Sequence, residues 1–183
     1  MIKATFVTHP ILLFIKTLQT NREYIAAYAE THAAENDTFI GFVRNANFAD
    51  IDEWVADINA DIEPAIDCTQ CGACCKTLMI NVTQHEAEHT ASYLSITLED
   101  FKRKYIEESQ QGQLIMSQMP CHFLEGSRCG IYEQRFTECR NFPHLHRSNF
   151  KDRMFGTMIY YAICPIIFNV VETLKIKTKF KEE

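Results

Sequence analysis

Glycine is scarce in this chain, with six in 183 residues, and neither G-x-G-x-x-G nor G-x-x-x-x-G-K-[ST] occurs. Those are the usual signatures of loops that cradle phosphates, so that chemistry is set aside. Basic charge is also short. Eighteen Lys and Arg against 24 Asp and Glu give a formal net charge of −6. Nucleic-acid platforms draw their affinity from Lys and Arg that neutralise phosphates, so no nucleic-acid partner is expected. Long apolar runs are missing as well. A spanning helix needs about 20 mostly apolar residues. The best stretch, residues 4–15, has 12 uncharged positions that include His9 and Pro10, and it ends at Lys16. As a secretion signal it is short and is followed at once by Asn21, Arg22 and Glu23. The expectation is a cytoplasmic protein with no membrane partner, in a compartment where thiols stay reduced. There is no G-x-S-x-G elbow, and the C-x3-C-x2-C spacing of radical S-adenosylmethionine proteins fits in no register.

Cysteine is what the chain has in excess. All eight fall between residues 68 and 164, and the other 86 positions hold none. The densest part is Cys68-Thr-Gln-Cys71-Gly-Ala-Cys74-Cys75, followed by Cys121, Cys129, Cys139 and Cys164, the last preceding Pro165. A C-x2-C turn aims two sulfurs at one point, which suits a metal ion, and Gly72 can take the positive φ such a turn requires. An even count would also suit a disulfide framework, but the reducing compartment, the chain length and the adjacent Cys74-Cys75 pair weigh against it. Buried apolar cysteines are a further alternative. Eight clustered at this spacing favour metal.

Thiolate sets suit zinc or iron, including a 4Fe-4S cluster. Cys68, Cys71 and Cys74 reproduce the first three positions of the ferredoxin run, whereas Leu78 occupies the fourth. Cys164-Pro165 could supply a remote fourth sulfur, leaving Cys75, Cys121, Cys129 and Cys139 for a second site. Two zinc sites of unknown partition are the rival. Lys76, Arg128 and Arg140 flank ligand positions and are candidates to offset thiolate charge.

Helical spacing dominates the rest. Ile11, Phe14, Ile15, Leu18, Arg22 and Ile25 predict an amphipathic N-terminal helix. Asp50 through Glu53 has the spacing of an N-terminal cap, with Ile51, Trp54, Val55 and Ile58 on one face. Thr83 with Glu86 forms a capping box for a helix to about Leu94. Thr97 with Asp100 opens another, with the stripe Leu98, Phe101 and Tyr105. Pro165 starts a last helix to about Leu174. Residues 114–117 read as a short strand, and 121–132 as a hairpin turning at Glu125-Gly126-Ser127-Arg128. The fold class expected is mainly α with a small β-hairpin, a single compact domain organised by metal.

His85-Glu86-Ala87-Glu88-His89 matches the H-E-x-x-H of zinc metallopeptidases. Ala87, Ala91 and Leu94 fall on the opposite helical face, Glu86 is already used by the capping box, and the histidines read as solvated. His144 and His146 could be alternative ligands, though a polar loop explains them as well. Lys175, Lys177, Lys179 and Lys181 read as a solvated, frayed terminus.

Together these residues resemble a known family. Asp67-Cys68-x-x-Cys71-Gly72-x-Cys74-Cys75, Thr83-x-x-Glu86, Tyr93-Leu94, Thr97-x-x-Asp100-Phe101 and Tyr105 are similar to the CxxCxxCC, or YkgJ-like, bacterial cysteine-cluster group. Cys121-His-Phe-Leu124, Cys129-Gly-Ile131-Tyr132, Arg135, Cys139-Arg140-Asn-Phe142-Pro143 and Cys164-Pro165 continue the likeness, which spans about residues 66–168. The resemblance implies a zinc- or iron-chelating domain with all eight cysteines as ligand candidates. It leaves His85 and His89 outside the pattern. One departure is Phe136 after Arg135, where the family usually has proline, and it should loosen the turn into Cys139. The implied organisation is an N-terminal helical segment packed on the core (1–65), a metal-binding domain (66–168), and the end of the last helix with a basic tail (169–183). The expected function is metal binding by a cysteine cluster, with a metal ion or cluster as partner, no protein partner identified and no catalytic residue assigned. The alternatives are an iron–sulfur redox protein, a relative of flagellin lysine-N-methylases, and, more distantly, the metallopeptidase.

Overall fold

The computed structural model describes residues 17–181. In chain order the helices are α1 (Arg22–Thr31), α2 (Ala33–Asn45), α3 (Ile51–Ile62), α4 (Cys68–Cys71), α5 (Gln84–Tyr93), α6 (Leu98–Tyr105), α7 (Thr137–Asn141), α8 (Phe150–Ile159) and α9 (Pro165–Lys177). The strands are β1 (Asn81–Val82), β2 (Ile106–Glu108), β3 (Leu114–Met116), β4 (Leu124–Glu125) and β5 (Arg128–Cys129). The protein is mainly α with small antiparallel strands, as its periodicity predicts. No helix among the described residues is long and apolar enough to cross a membrane.

The chain divides into two compact units. One comprises Met1–Ile66 with Pro143–Glu183, and the other is Asp67–Phe142. In the first, α9 packs on α3 and α1, and α8 packs on α2 and α3. Its core holds Ile25, Phe39, Val55, Ile58, Phe150, Met154 and the α9 run Ile166, Ile167, Val170 and Val171. Helix α9 is buried on nearly every side from Pro165 to Val171, as a helix apolar all round should be. Its buried Asn169 is satisfied: Oδ1 accepts from Gln19 N–H at 2.9 Å, and Nδ2 donates to Gln19 and Pro165 carbonyls at 2.8 and 2.7 Å. Asp50 makes no side-chain cap on α3. Asp52 instead caps α8, accepting from Asn149 and Phe150 N–H, each at 2.7 Å.

Two expectations are corrected in this unit. Ile11, Phe14 and Ile15 lie outside the described residues. The described part of that stripe is not one continuous helix, because α1 starts only at Arg22, where Asn21 Oδ1 accepts from Tyr24 N–H at 2.7 Å. Nor is Lys175 part of a solvated tail. It is 6% exposed, and its ammonium donates to Glu35 Oε1 and Asn36 Oδ1 at 2.8 Å and pairs with Glu172 Oε1 at 2.9 Å. Tyr161 and Tyr28 hydroxyls donate to the same Glu172 carboxylate at 2.7 and 3.2 Å. Burial, then Glu172, raises both phenols, that of Tyr28 to about 12. The alternating lysines mislead because α9 runs on to Lys177 and turns Lys175 inward. Lys177 lies over the Trp54 ring at 5.1 Å.

The second unit is built on a three-stranded antiparallel sheet in the order β1-β3-β2, with Val82 opposite Leu114 and Ile106 opposite Met116. Helices α5 and α6 pack together. Ile80, Val82, Ala87, Ala91, Phe101, Leu114, Met116, Phe123, Ile131 and Phe136 form its core. Both predicted helix starts are realised. Thr83 and Glu86 make the full capping box, and Thr97 Oγ accepts from Asp100 N–H at 3.0 Å. Strands β4 and β5 form the predicted hairpin, with Glu125 opposite Arg128 and Gly126 at φ +66°, a conformation that matches tight-hairpin twist.

Candidate metal centre

Seven of the eight cysteines belong to the second unit. The first three sit on tight turns. Asp67 caps α4, its Oδ1 accepting from the Thr69 hydroxyl and N–H at 2.6 and 2.9 Å and its Oδ2 from Gln70 Nε2 at 2.9 Å. These bonds, the Thr69 hydroxyl foremost, hold the Asp67 carboxyl below the ordinary range. Gly72 ends α4 at φ +60°, in the left-handed region. A Cβ there would lie 2.6 Å from Ser127 O and 2.9 Å from Ser127 Cα, so the turn closes on the hairpin only with glycine. A 3-10 turn over Cys74–Lys76 follows, and Leu78 N–H donates to Cys74 O at 2.8 Å. Cys68 is exposed, while Cys71, Cys74 and Cys75 are half-buried.

The other thiols approach from separate segments. Cys121 N–H donates to Cys75 O at 2.8 Å, which places those two backbones side by side. Cys129 is on β5 opposite Leu124, and Cys139 is on the short helix α7. Cys121, Cys129 and Cys139 all pack against the core of the unit. The charge of Cys75 acts on Cys121, Cys129 and Cys139, and Cys139 also feels the charges of Cys121 and Cys129. Burial pushes Cys139 up to about 12, and the charges of Cys75, Cys121 and Cys129 add to the rise. Burial likewise raises Cys121 and Cys129, helped by Cys75. Cys75 moves the other way, down to about 7, because the Cys74 side chain hydrogen-bonds to it. Among the described residues, no three His, Cys, Asp or Glu side chains converge tightly enough to hold an ion as they stand.

Helix α7 is held in place by two carboxylates. Glu86 Oε1 accepts from Thr137 N–H at 2.6 Å, while its Oε2 accepts from Thr83 N–H and hydroxyl at 2.9 and 2.8 Å. Glu138 accepts from Asn81 N–H and Nδ2 at 2.9 and 3.1 Å. Phe136, whose place in the sequence predicted a looser turn, is only 2% exposed and anchors the start of α7 by burial. The cation acting on a thiol is Arg135, whose charge lowers Cys129. Its guanidinium stacks 3.9 Å from the Tyr132 ring centroid and donates to Tyr132 O at 3.1 Å. Sequence reasoning named Lys76, Arg128 and Arg140 for that task instead. Arg128 acts on Asp67, and Arg140 donates to Glu133 O at 3.2 Å. The missed signal was an arginine three positions after an aromatic, Tyr132-x-x-Arg135, which lets the guanidinium lie over the ring.

The remaining candidates lie elsewhere. Cys164 is in the first unit, 8% exposed, at the N-terminal cap of α9, with its N–H on Tyr160 O at 2.8 Å. His144 and His146 are also in the first unit, half-buried and exposed respectively, with ring centroids 6.5 Å apart. His85 and His89 are exposed on α5, and Ala87, Thr90 and Ala91 form its buried face. Glu86, the base a metallopeptidase would need, is committed to Thr83 and Thr137.

No solved structure matches the chain. The family model CxxCxxCC, described as "Putative zinc- or iron-chelating domain", matches residues 67–161, a span that holds Cys68, Cys71, Cys74, Cys75, Cys121, Cys129 and Cys139 and stops short of Cys164. That span is more than half of the chain, and its order of turns, hairpin and α7 is the arrangement just described: the protein belongs to the CxxCxxCC family.

Proposed function

We propose that the protein chelates zinc or iron through its cysteines, with Cys75, Cys121, Cys129 and Cys139 forming one ligand set and Cys68, Cys71 and Cys74 contributing to a second. The observation that carries the first set is geometric: Cys121, Cys129 and Cys139 come from separate segments to pack against one core, and the Cys121 N–H reaches Cys75 O at 2.8 Å, where the charge of Cys75 acts on all three. The donor chemistry fits such an ion. Charged thiols at this spacing repel one another, and a shared cation removes that repulsion while keeping every sulfur deprotonated. Arg135 offsets part of the remaining negative charge beside Cys129. The carboxylates of Glu86 and Glu138 fix α7 and with it Cys139. Bound metal in this role supplies folding free energy to the unit.

Anaerobic purification followed by elemental analysis tests the reading. Zinc or iron in whole-number ratio to the chain is expected, and Cys121→Ser or Cys139→Ser should release an ion and lower the unfolding temperature. Metal-free protein with eight titratable thiols and unchanged folding would overturn it. The ferredoxin-like spacing of Cys68, Cys71 and Cys74 supports an iron–sulfur version of the second set. Visible charge-transfer absorption lost in Cys71→Ser would assign it, and a colourless zinc protein would exclude it.

A further inference from the structure

On the solvent side of α5, His85 and His89 stand four positions apart, both exposed, with ring planes 17° apart and centroids separated by 6.5 Å. The opposite side of that helix is pinned to the core by Ala87, Thr90 and Ala91. We propose that this histidine pair is a separate, exposed site for a divalent transition-metal ion, held by one ring nitrogen from each imidazole. The proposal does not rest on the cysteine reading and assigns no peptidase activity.

Residues at i and i+4 are neighbours on a helical surface, so two imidazoles there share one approach to solvent. An imidazole nitrogen binds such an ion at about 2.0–2.1 Å. The two rings already lie nearly parallel on one side of α5. Turning two exposed side chains between staggered rotamers directs a nitrogen from each toward a common point at small cost. The local charge favours a cation, because Glu86 and Glu88 are the charged residues of α5 and it has no Lys or Arg. Neither carboxylate completes the shell. Glu86 is bound by Thr83 and Thr137, and Glu88 Oε1 accepts from Gln84 Nε2 at 2.8 Å. The result is a two-nitrogen site whose other positions are filled by water, and it is therefore exchangeable. Imidazole donors and the ordinary affinity order favour nickel, copper and zinc over iron, a different preference from that of a thiolate set.

Nickel(II) alone is the probe, added to the full-length chain while its paramagnetic broadening of backbone amide signals is followed. The expected result is early broadening centred on α5. His85→Ala and His89→Ala should each weaken binding there about tenfold or more, because either change destroys the chelate and its effective concentration. The double variant should be little worse than either single one, His32→Ala should have no effect, and Cys139→Ser should leave the α5 broadening in place. Broadening confined to the cysteine segments would overturn the proposal. So would single-variant losses that simply add, which mark two independent imidazoles.

Discussion

Thr137 donates its backbone N–H to Oε1 of Glu86 at 2.6 Å, across 51 positions of sequence. The other oxygen of that carboxylate closes the capping box on Thr83. One side chain therefore caps two helices, and the second of them carries Cys139. Glu138 adds a parallel tie to Asn81. A local helix-start signal is in this way also a tertiary clamp on a candidate ligand.

Glu86 should make the stability of the protein fall at acid pH. Burial alone would raise its pKa, but hydrogen bonds from Thr137 and Thr83 outweigh it and hold the carboxyl below the ordinary value of 4.5. A folded pKa below the unfolded one means stabilisation that is fully present above the unfolded value and lost as pH falls through the folded one. Glu86→Gln should cost about 1–2 kcal/mol at neutral pH and flatten the acid limb of the stability curve. Urea unfolding at neutral and acid pH measures both effects. An acid limb unchanged by the substitution would assign the tie no electrostatic weight.

Gly72→Ala should be more damaging than a surface glycine change. The new Cβ would meet backbone of Ser127 at 2.6 Å, and the residue would also have to keep φ +60°. Left-handed backbone costs a non-glycine residue about 1–2 kcal/mol, and the collision adds to that. Gly41→Ala, a helical position with open space around the added atom, serves as the contrast and should be neutral or stabilising. Thermal unfolding of the two variants separates the cases.

Lys175→Met should destabilise the protein by about 2–4 kcal/mol, since it leaves the Glu35 and Glu172 carboxylates beside a lost cation. The side chains are 7%, 22% and 26% exposed, so the effect falls below that of a fully enclosed pair. Adding Glu35→Gln and Glu172→Gln to Lys175→Met should recover part of the loss. A triple variant worse than the single one would show that hydrogen bonding, not charge, dominates the cluster.

The helix starts were legible because capping is local chemistry: Thr83 with Glu86 and Thr97 with Asp100 announce themselves within four residues. The Glu125–Arg128 turn was legible for the same reason. What depends on distant partners was not. Helices α2 and α8 contain Gly41 and Gly156 and bury only Asn36, Phe39 and Val43, or Phe150, Met154 and Thr157, so their stripes are thin in sequence. Strands β1 and β2 are two and three residues long and exist through pairing with β3. Lys175 looked like part of an alternating charged tail because, besides the local Glu172, its partners Glu35 and Asn36 are 140 and 139 residues away. At the site, the cysteine positions were plain in the sequence. The clamp from Glu86 to Thr137 and the action of Arg135 on Cys129 needed the fold.

If Cys75, Cys121, Cys129 and Cys139 share one ion, their substitutions cannot act independently. Each serine variant should lose the same whole equivalent of metal, and Cys75→Ser combined with Cys139→Ser should lose no more than either alone. Their stability losses should be strongly non-additive for the same reason. A chelator should lower the unfolding temperature of the parent protein and shift Cys139→Ser much less. Cys68→Ser and Cys71→Ser should spare that equivalent, because their sulfurs lie outside the proposed four-thiol set. Elemental analysis beside chelator melts reads all of these quantities. Fractional, additive losses across all the variants would mean that the thiols bind metal singly, and the four-thiol set would then be abandoned.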